Sequence, residues 1–244
     1  MILAGAIFIF RAVRRQFRFN MEQQNFMMAL THELKTPIAV ATLNLETLQK
    51  RKLEEPQQQK LIQNTLQEAN RLNSLCTNML LSSQIDASSY ALNNEEENLS
   101  TIVETSTNEY INRFPKFHFI KNISTDIFVG GDVMLLQIAI NNLLDNAIKY
   151  SPKESEISVK LQAQNNNALL QVADLGKGIS PEDKVNVFKK FFRAGNTATK
   201  SAKGTGLGLY LTKLIVEKHK GYISVTDNNP NGSIFEIQLP LYIN

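Results

Sequence analysis

The stretch VMLLQIAINNLLDNAIKY, Val133–Tyr150, is a strongly periodic segment of this 244-residue chain. Its leucine, isoleucine and alanine residues recur every three to four positions, which predicts a helix with one apolar face. Asp132 stands directly before it and is typical of a helix N-cap. Asn142, Asn146 and Lys149 follow one another at helical spacing and share the polar face. The segment therefore predicts a helix that packs on a core and presents amides and a lysine on its other side.

Shorter segments around that helix predict a mixed α/β domain over residues 93–244. Alternating patterns predict strands at 117–123, 157–163, 169–174, 222–226 and 233–239, and periodic patterns predict helices at 99–114 and 207–220. The run NNPNG, 228–232, predicts the turn of a hairpin. Regular strand–helix–strand units are too few for a doubly wound sheet. We therefore expect an α/β sandwich, with helices on one face of a mixed sheet.

Residues 21–90 follow a different pattern, that of two long helices. Apolar residues recur at three-to-four spacing from Met27 to Leu48, stop at RKLEEP (51–56), and resume from Leu61 to Leu80. Two helices with a short connection predict an antiparallel hairpin. A single hairpin has too small a core, so we expect two copies to form a dimeric four-helix bundle. Cys76 falls on the apolar stripe and is predicted to be a small buried residue. The fold class is therefore α plus α/β.

The first twenty residues differ in charge from the rest of the chain. The whole chain carries 26 basic and 23 acidic residues, a net charge of +3. Arg11, Arg14, Arg15 and Arg18 lie in a segment without acids, so the remainder is near neutral. A basic end of this kind does not indicate a nucleic-acid-binding body, whose basic residues cluster on a folded face. One cysteine excludes a disulfide framework and a multi-cysteine zinc site.

The apolar run ILAGAIFIF at 2–10 precedes these arginines and covers roughly half of a membrane span. It is compatible with a signal peptide or with a short buried or interfacial helix. Arginines directly after an apolar run favour the cytoplasmic end of a transmembrane helix. We therefore expect residues 1–20 to anchor the chain at the inner membrane, with the following residues in the cytoplasm.

HELKTP, His32–Pro37, is the first motif whose side chains could take part in a reaction. Its position between apolar stripe members predicts that His32 faces solvent, where a neutral imidazole is nucleophilic. Glu33 is placed to accept a proton, and the Thr36 hydroxyl, one turn on, to orient a water. Pro37 is expected to bend the helix. The alternative is an idle surface histidine, against which a proline inside so regular a helix argues.

The polar face of the predicted helix at 133–150 is the second candidate site. Amide oxygens such as that of Asn146 suit Mg²⁺, Lys149 suits phosphate, and the Tyr150 ring could stack on a base. Asn142 lies on the same face. The alternative interpretation is an ordinary polar helix surface.

Two glycine-containing stretches complete the set. In DLGKG, 174–178, Asp174 could accept a hydrogen bond from an exocyclic amine such as that of adenine, and Gly176 and Gly178 permit close approach. In KGTGLGL, 203–209, glycines lead into a helix N-terminus, which favours phosphate, although the spacing matches neither common nucleotide motif. The alternatives are an ordinary turn and a flexible hinge. Between them, VFKKFFR (187–193) and the small polar residues that follow it predict a lid.

In order and spacing, these motifs resemble those of the cytoplasmic half of a bacterial two-component sensor histidine kinase. THELKTP resembles the H box, NNLLDNAIKYS the N box, DLGKGI the G1 box, VFKKFFRA the F box and GTGLGLYL the G2 box. The resemblance covers residues 20–242. It implies a dimerisation and phosphotransfer hairpin followed by a Bergerat-type ATP-binding domain.

The resemblance also implies a role for each motif. His32 would take the γ-phosphoryl group of ATP with Glu33 as base, and Thr36 matches the position of kinases that also dephosphorylate their partner. Asn146 would hold Mg²⁺. The expected nucleotide-binding residues are Asn142, Lys149, Tyr150, Asp174, Gly176, Gly178, Phe192, Lys203, Gly204, Thr205, Gly206, Leu207 and Gly208. The expected partners are a second copy of the chain and the receiver domain of a response regulator, and not nucleic acid.

Three other classes of protein are alternatives to the kinase. Other Bergerat-fold ATPases, such as chaperones and topoisomerases, and anti-sigma-type serine kinases lack the histidine hairpin. A non-catalytic dimeric scaffold would not need His32, Glu33 and Asn146. The remaining histidines, His118 and His219, show no ligand spacing, and a cation at His219 would be mildly favoured by the nearby helix C-terminus. Residues 88–98 are expected to form a hinge between the two domains.

Overall fold

The computed structural model describes residues 2–87, 89–193 and 205–242, which form two compact units. The first contains the chain up to Leu80 together with the described part of residues 190–207. The second contains the other described residues, from Leu81 onward.

Six helices and seven strands lie in the described residues. The helices are α1 (Ile2–Lys50), α2 (Glu55–Asp86), α3 (Leu99–Arg113), α4 (Val133–Tyr150), α5 (Pro181–Lys184) and α6 (Gly208–Lys218). The strands are β1 (Glu95–Asn98), β2 (His118–Ile123), β3 (Phe128–Gly131), β4 (Glu156–Gln164), β5 (Asn167–Asp174), β6 (Tyr222–Asp227) and β7 (Ser233–Pro240).

The first unit contains α1 and most of α2, the two helices of the predicted hairpin. α1 is one helix of 49 residues that passes through Pro37 and includes the apolar and arginine-rich N-terminal residues. The charged connection at 51–54 separates it from α2, as the interrupted pattern predicts. None of the described helices has a stretch that is long and apolar enough to cross a membrane.

Much of the apolar stripe of the hairpin is exposed in the single chain. Met27, Ile38 and Leu45 of α1 and Leu66 of α2 are all more than half exposed. Cys76 is exposed too, so its predicted burial is wrong for one copy. The reason is geometric: two helices cover only one side of each other, and the opposite side of the stripe stays open.

The second unit contains the predicted mixed sheet. Its five strands lie in the order β2-β4-β5-β7-β6, and β2 runs parallel to β4 while the other pairs are antiparallel. A separate two-stranded ribbon of β1 and β3 was not predicted. Its sequences, EEEN and FVGG, are short and lack the alternation that marks a strand.

The core of this unit lies between the sheet and the helices, as expected for a sandwich. From α4, Leu136, Ile140 and Leu143 are buried against Val159 and Val172 of the central strands. The predicted N-cap is confirmed, because the Asp132 side chain accepts a hydrogen bond from the Leu135 amide. The apolar face of α4 therefore packs inward and its amide face is left at the surface.

The end of α2, from Leu81 on, belongs to the second unit. Leu81 and Ile85 belong to a small buried cluster with Leu135, Ala139, Leu211 and Ile215. Tyr90, shortly after α2, makes two hydrogen bonds. Its hydroxyl donates to Asp132 Oδ2 at 3.1 Å, and the Lys218 ammonium donates to its carbonyl at 2.9 Å. Because β1 is also paired, the predicted hinge at 88–98 is held by specific contacts at Tyr90 and over Glu95–Asn98.

Candidate functional site

His32 lies on the surface of α1, as its position in the pattern predicts. The Thr36 hydroxyl donates a 3.1 Å hydrogen bond to the His32 carbonyl, so it is used by the backbone of its own helix here. Pro37 is buried one residue later. The histidine therefore presents its ring to solvent from a helix turn whose other side is packed.

Glu33 is held by a residue that sequence reasoning missed. Its Oε2 accepts a 2.7 Å hydrogen bond from the guanidinium of Arg71 on α2. The two residues are 38 positions apart, and no local pattern connects them. Only the register of the hairpin brings them together.

In the second unit, α4 and the start of α6 meet at the amide face. Asn142 Nδ2 donates to the Gly208 carbonyl at 3.3 Å, and a Cβ added to Gly208 would lie 3.3 Å from Asn142 Oδ1. Lys149 Nζ lies 4.7 Å from the centre of the half-exposed Tyr150 ring. The side chain of Asn146 has no hydrogen-bond partner among the described residues. This face thus offers an amide and a cation to a ligand.

Asp174 ends β5 and is only 5% exposed. Its Oδ1 accepts hydrogen bonds from the amides of Gly176 at 2.8 Å and Ser233 at 3.3 Å. Burial raises the pKa of the carboxyl, and the two amide donors oppose that rise. Within the described residues, Oδ2 has no hydrogen-bond partner, so one oxygen is anchored and the other remains for a ligand.

Close backbone approach explains two of the glycines around Asp174. A Cβ on Gly176 would lie 2.7 Å from the Tyr150 carbonyl oxygen, so this glycine lets the end of α4 come next to the 174–178 turn. Gly232 has φ +119°, and a Cβ there would overlap the Asp174 carbonyl. That carbonyl also accepts a 2.9 Å hydrogen bond from Asn228.

The residues that seat Asp174 from the β6–β7 turn were also missed from sequence. Asn228, Gly232 and Ser233 lie in or beside the NNPNG run, which predicted a hairpin turn. That run gave no sign that the turn folds against the end of β5. Gly178, with φ +71° and a Cβ position 3.3 Å from the Gly232 carbonyl, meets the same turn.

The remaining predicted nucleotide-binding residues are Phe192 and those at 203–207. Lys203 and Gly204 lie outside the described residues, as does most of the predicted lid. Gly206 has φ +70°, and its carbonyl accepts a 3.1 Å hydrogen bond from the Phe191 amide, next to the half-buried Phe192. Thr205 is partly exposed. Leu207 is 2% exposed, so only its backbone could touch a ligand.

His219 is buried and neutral, which corrects the expectation of a favoured cation. Its Nδ1 lies 2.7 Å from the Ile215 carbonyl, and its Nε2 accepts a 3.0 Å hydrogen bond from the Asp132 amide. Nδ1 therefore carries the proton. Desolvation lowers the pKa of this imidazole and outweighs the hydrogen bond to the Ile215 carbonyl and the attraction to Asp132.

The donor set suits magnesium only as an ion shared with a phosphate ligand. No group of three or more histidine, cysteine or acidic residues comes together in the described parts of the chain. Mg²⁺ commonly keeps several waters and binds one or two protein oxygens plus phosphates. The uncommitted amide of Asn146, beside Lys149, fits that pattern.

Two sequence families match the chain, one in its N-terminal third and one in its C-terminal half. The family described as the His Kinase A (phospho-acceptor) domain matches residues 22–88. The family described as histidine kinase-, DNA gyrase B- and HSP90-like ATPase matches residues 131–243.

Individual proteins agree with these families. The sensor protein CiaH of Streptococcus pneumoniae is 31% identical over 98% of this chain, and the sensor-like histidine kinase SenX3 of Mycobacterium tuberculosis is 31% identical over 93%. The chain spans 54% and 56% of these relatives, about half of their length.

Solved structures agree as well. The Acinetobacter baumannii histidine kinase AdeS matches 87% of this chain and 98% of its own, with a TM-score of 0.63 and 25% identity. The mycobacterial sensor histidine kinase MprB is 31% identical, with a TM-score of 0.54, over 62% of this chain and 99% of its own. With a phospho-acceptor hairpin followed by the matching ATPase domain, the chain belongs to the sensor histidine kinases.

Proposed function

We propose that the protein transfers the γ-phosphoryl group of ATP to His32 and then passes it to an aspartate in the receiver domain of a response regulator. One observation carries the nucleotide half of this proposal: the amide face of α4, the Asp174 turn and the start of α6 converge in one unit. The exposed His32 beside an anchored Glu33 supports the acceptor half.

The nucleotide would lie against the second unit. Asp174 Oδ2 would accept a hydrogen bond from the adenine amine, Gly176 and Gly178 would allow the base to approach the backbone, and the Tyr150 ring would lie beside it. Asn142 and Lys149 would contact the phosphates. Gly208, whose carbonyl accepts a hydrogen bond from Asn142, would border the phosphate end. The resemblance assigns Phe192, Lys203, Gly204, Thr205, Gly206 and Leu207 to the same ligand.

Phosphoryl transfer depends on positioning and charge neutralisation. A ring nitrogen of His32 forms the bond to the γ-phosphorus, the bond to the β–γ bridging oxygen breaks, and ADP leaves. Glu33 takes the proton that the ring releases. A magnesium ion held by Asn146 and the phosphates would neutralise charge on the leaving group.

Thr36 supports a second activity at the same histidine, the removal of phosphate from the response regulator. Its hydroxyl lies one turn from His32 and now bonds the His32 carbonyl. Rotation of that hydroxyl would let it orient a water toward an aspartyl phosphate. His32, Glu33 and Thr36 therefore make up the proposed catalytic group.

The assembly proposed is a homodimer held at the inner membrane. The exposed stripe that contains Ile38, Leu45 and Leu66 would pack on a second hairpin and complete a four-helix bundle. At the start of α1, Phe8 and Phe10 are exposed directly before the arginines, which supports contact with the bilayer. Residues 1–20, 21–90 and 93–244 would then serve as anchor, phosphotransfer domain and ATP-binding domain.

The test uses the purified chain with γ-labelled ATP and Mg²⁺. We expect an acid-labile, base-stable label on the protein that is absent from His32→Gln. Hydrolysis of ATP without labelled protein would indicate an ATPase instead. Nucleotide binding with neither reaction would indicate a scaffold, and label that persists in His32→Gln would place the acceptor elsewhere.

A further inference from the structure

The base proposed for His32 is held from the opposite helix of the hairpin. Arg71 Nη2 donates a 2.7 Å hydrogen bond to Glu33 Oε2. Charge-assisted bonds of this length between guanidinium and carboxylate are short and directional. The pair therefore restrains the Glu33 carboxylate.

Arg71 is itself held in place. Its Nη1 lies 3.8 Å from Oε2 of Glu68, which is one turn earlier on α2. The guanidinium thus lies between a carboxylate of its own helix and the carboxylate beside His32. This arrangement limits the rotamers open to Arg71 and, through it, those open to Glu33.

Stability alone does not account for the Glu33–Arg71 pair. The Arg71 side chain is 44% exposed, while that of Glu33 is 12% exposed. Ion pairs with one partner so open to solvent add little to folding stability. Its main consequence is orientation of a residue next to the phosphorylated histidine.

Orientation matters here because neighbouring helix positions point about 100° apart. An unrestrained glutamate would place its carboxylate near the adjacent imidazole in only a few of its rotamers. A proton acceptor has to be within hydrogen-bond reach, and small displacements of a catalytic group cost large factors in rate.

We propose that Arg71 is a positioning residue for autophosphorylation. It holds the Glu33 carboxylate between the facing sides of α1 and α2. In that position, Glu33 receives the proton released by the His32 ring. The inference rests on the proposed function of His32 and Glu33. Arg71 contacts neither ATP nor the phosphoryl group in this role.

The experiment measures autophosphorylation of the full chain with labelled ATP and Mg²⁺ in Arg71→Ala and Arg71→Lys, each also combined with Glu33→Gln. Arg71→Ala is expected to lower kcat by roughly 10- to 100-fold. KM for ATP should stay within about twofold, since Asn142, Lys149 and Asp174 belong to the other unit. Arg71→Lys keeps one charged donor and should recover most of the rate.

The double variant separates positioning from direct action. With Glu33→Gln present, Arg71→Ala should change the rate by less than about twofold, because no base remains to be positioned. Lys50→Ala is the matched control: it removes the exposed 3.0 Å ion pair with Glu46 on the same hairpin and should leave the rate unchanged.

Several results would overturn the inference. They are an unchanged rate in Arg71→Ala, a lysine variant no better than alanine, a raised KM, or losses that multiply in the double variant. If Arg71→Ala does not fold, Arg71→Gln with and without Glu33→Gln gives the same comparison, because it keeps the bulk of the side chain and removes the charge. A wild-type chain that never labels His32 would instead refute the proposed function.

Discussion

Because, of the two Asp174 carboxylate oxygens, only Oδ1 is hydrogen-bonded by residues that the structure describes, a substitution at this residue can weaken ATP binding and leave the fold intact. In Asp174→Asn, the amide oxygen would take the place of Oδ1, because the reverse orientation would set an NH₂ group against the Gly176 and Ser233 amides. The atom that faces the ligand then changes from acceptor to donor. Losing a hydrogen bond to a charged acceptor costs about 1.5–3 kcal/mol, which is roughly 10- to 150-fold in Kd for ATP.

Titration calorimetry with ATP and with ITP tests this directly. ITP carries an oxygen where ATP carries the amine. Asp174→Asn should therefore increase the affinity for ITP relative to the affinity for ATP. The melting temperature without nucleotide should stay close to that of wild type. Asp126→Asn is the control, as an exposed aspartate in a left-handed conformation that asparagine also adopts. Undiminished ATP affinity in Asp174→Asn, or an equal loss for ATP and ITP, would refute the assignment of Oδ2 to the adenine amine.

Three further outcomes are expected. Burial lowers the pKa of His219, so the unfolded chain binds its proton more readily; stability should fall as pH drops below about 6.5, by at most about 1.4 kcal/mol per pH unit. Urea unfolding at pH 7.5 and 5.5 measures this, and an undiminished pH dependence in His219→Gln would contradict it. Gly232→Ala forces a side chain into φ +119° against the Asp174 carbonyl; it should cost at least about 2 kcal/mol in the same assay and weaken ATP binding, whereas wild-type stability would show that the turn relaxes freely. Leu66→Glu places a charge on the exposed stripe and should give monomers in sedimentation; an intact dimer would place the interface elsewhere.

Local patterns were sufficient for most of the architecture. α4 and its Asp132 cap, the α1–α2 hairpin and the β6–β7 hairpin all follow from periodicity, capping and turn residues, which act over a few positions. The strands β1 and β3 could not be predicted, because their pairing depends on each other and not on their own alternation. The hydrogen bonds of Tyr90 could not be predicted for the same reason, since its partners Asp132 and Lys218 are far along the chain.

The sequence by itself determined which chemical groups this protein has and on which elements they lie. His32 and Glu33 lie on a helix, Asn142, Asn146 and Lys149 share one helix face, and the order of the motifs indicates the kinase. These properties depend on neighbouring residues, so they can be read along the chain.

Only the tertiary structure decided how those groups are held. Arg71 reaches Glu33 through the hairpin register, and the turn at Gly232 seats the Asp174 carboxylate by one oxygen. Folding also buried His219 as a neutral ring against the Asp132 amide. Each of these contacts joins residues that are distant in sequence, and its strength depends on distance, burial and direction, which exist only once the chain has folded.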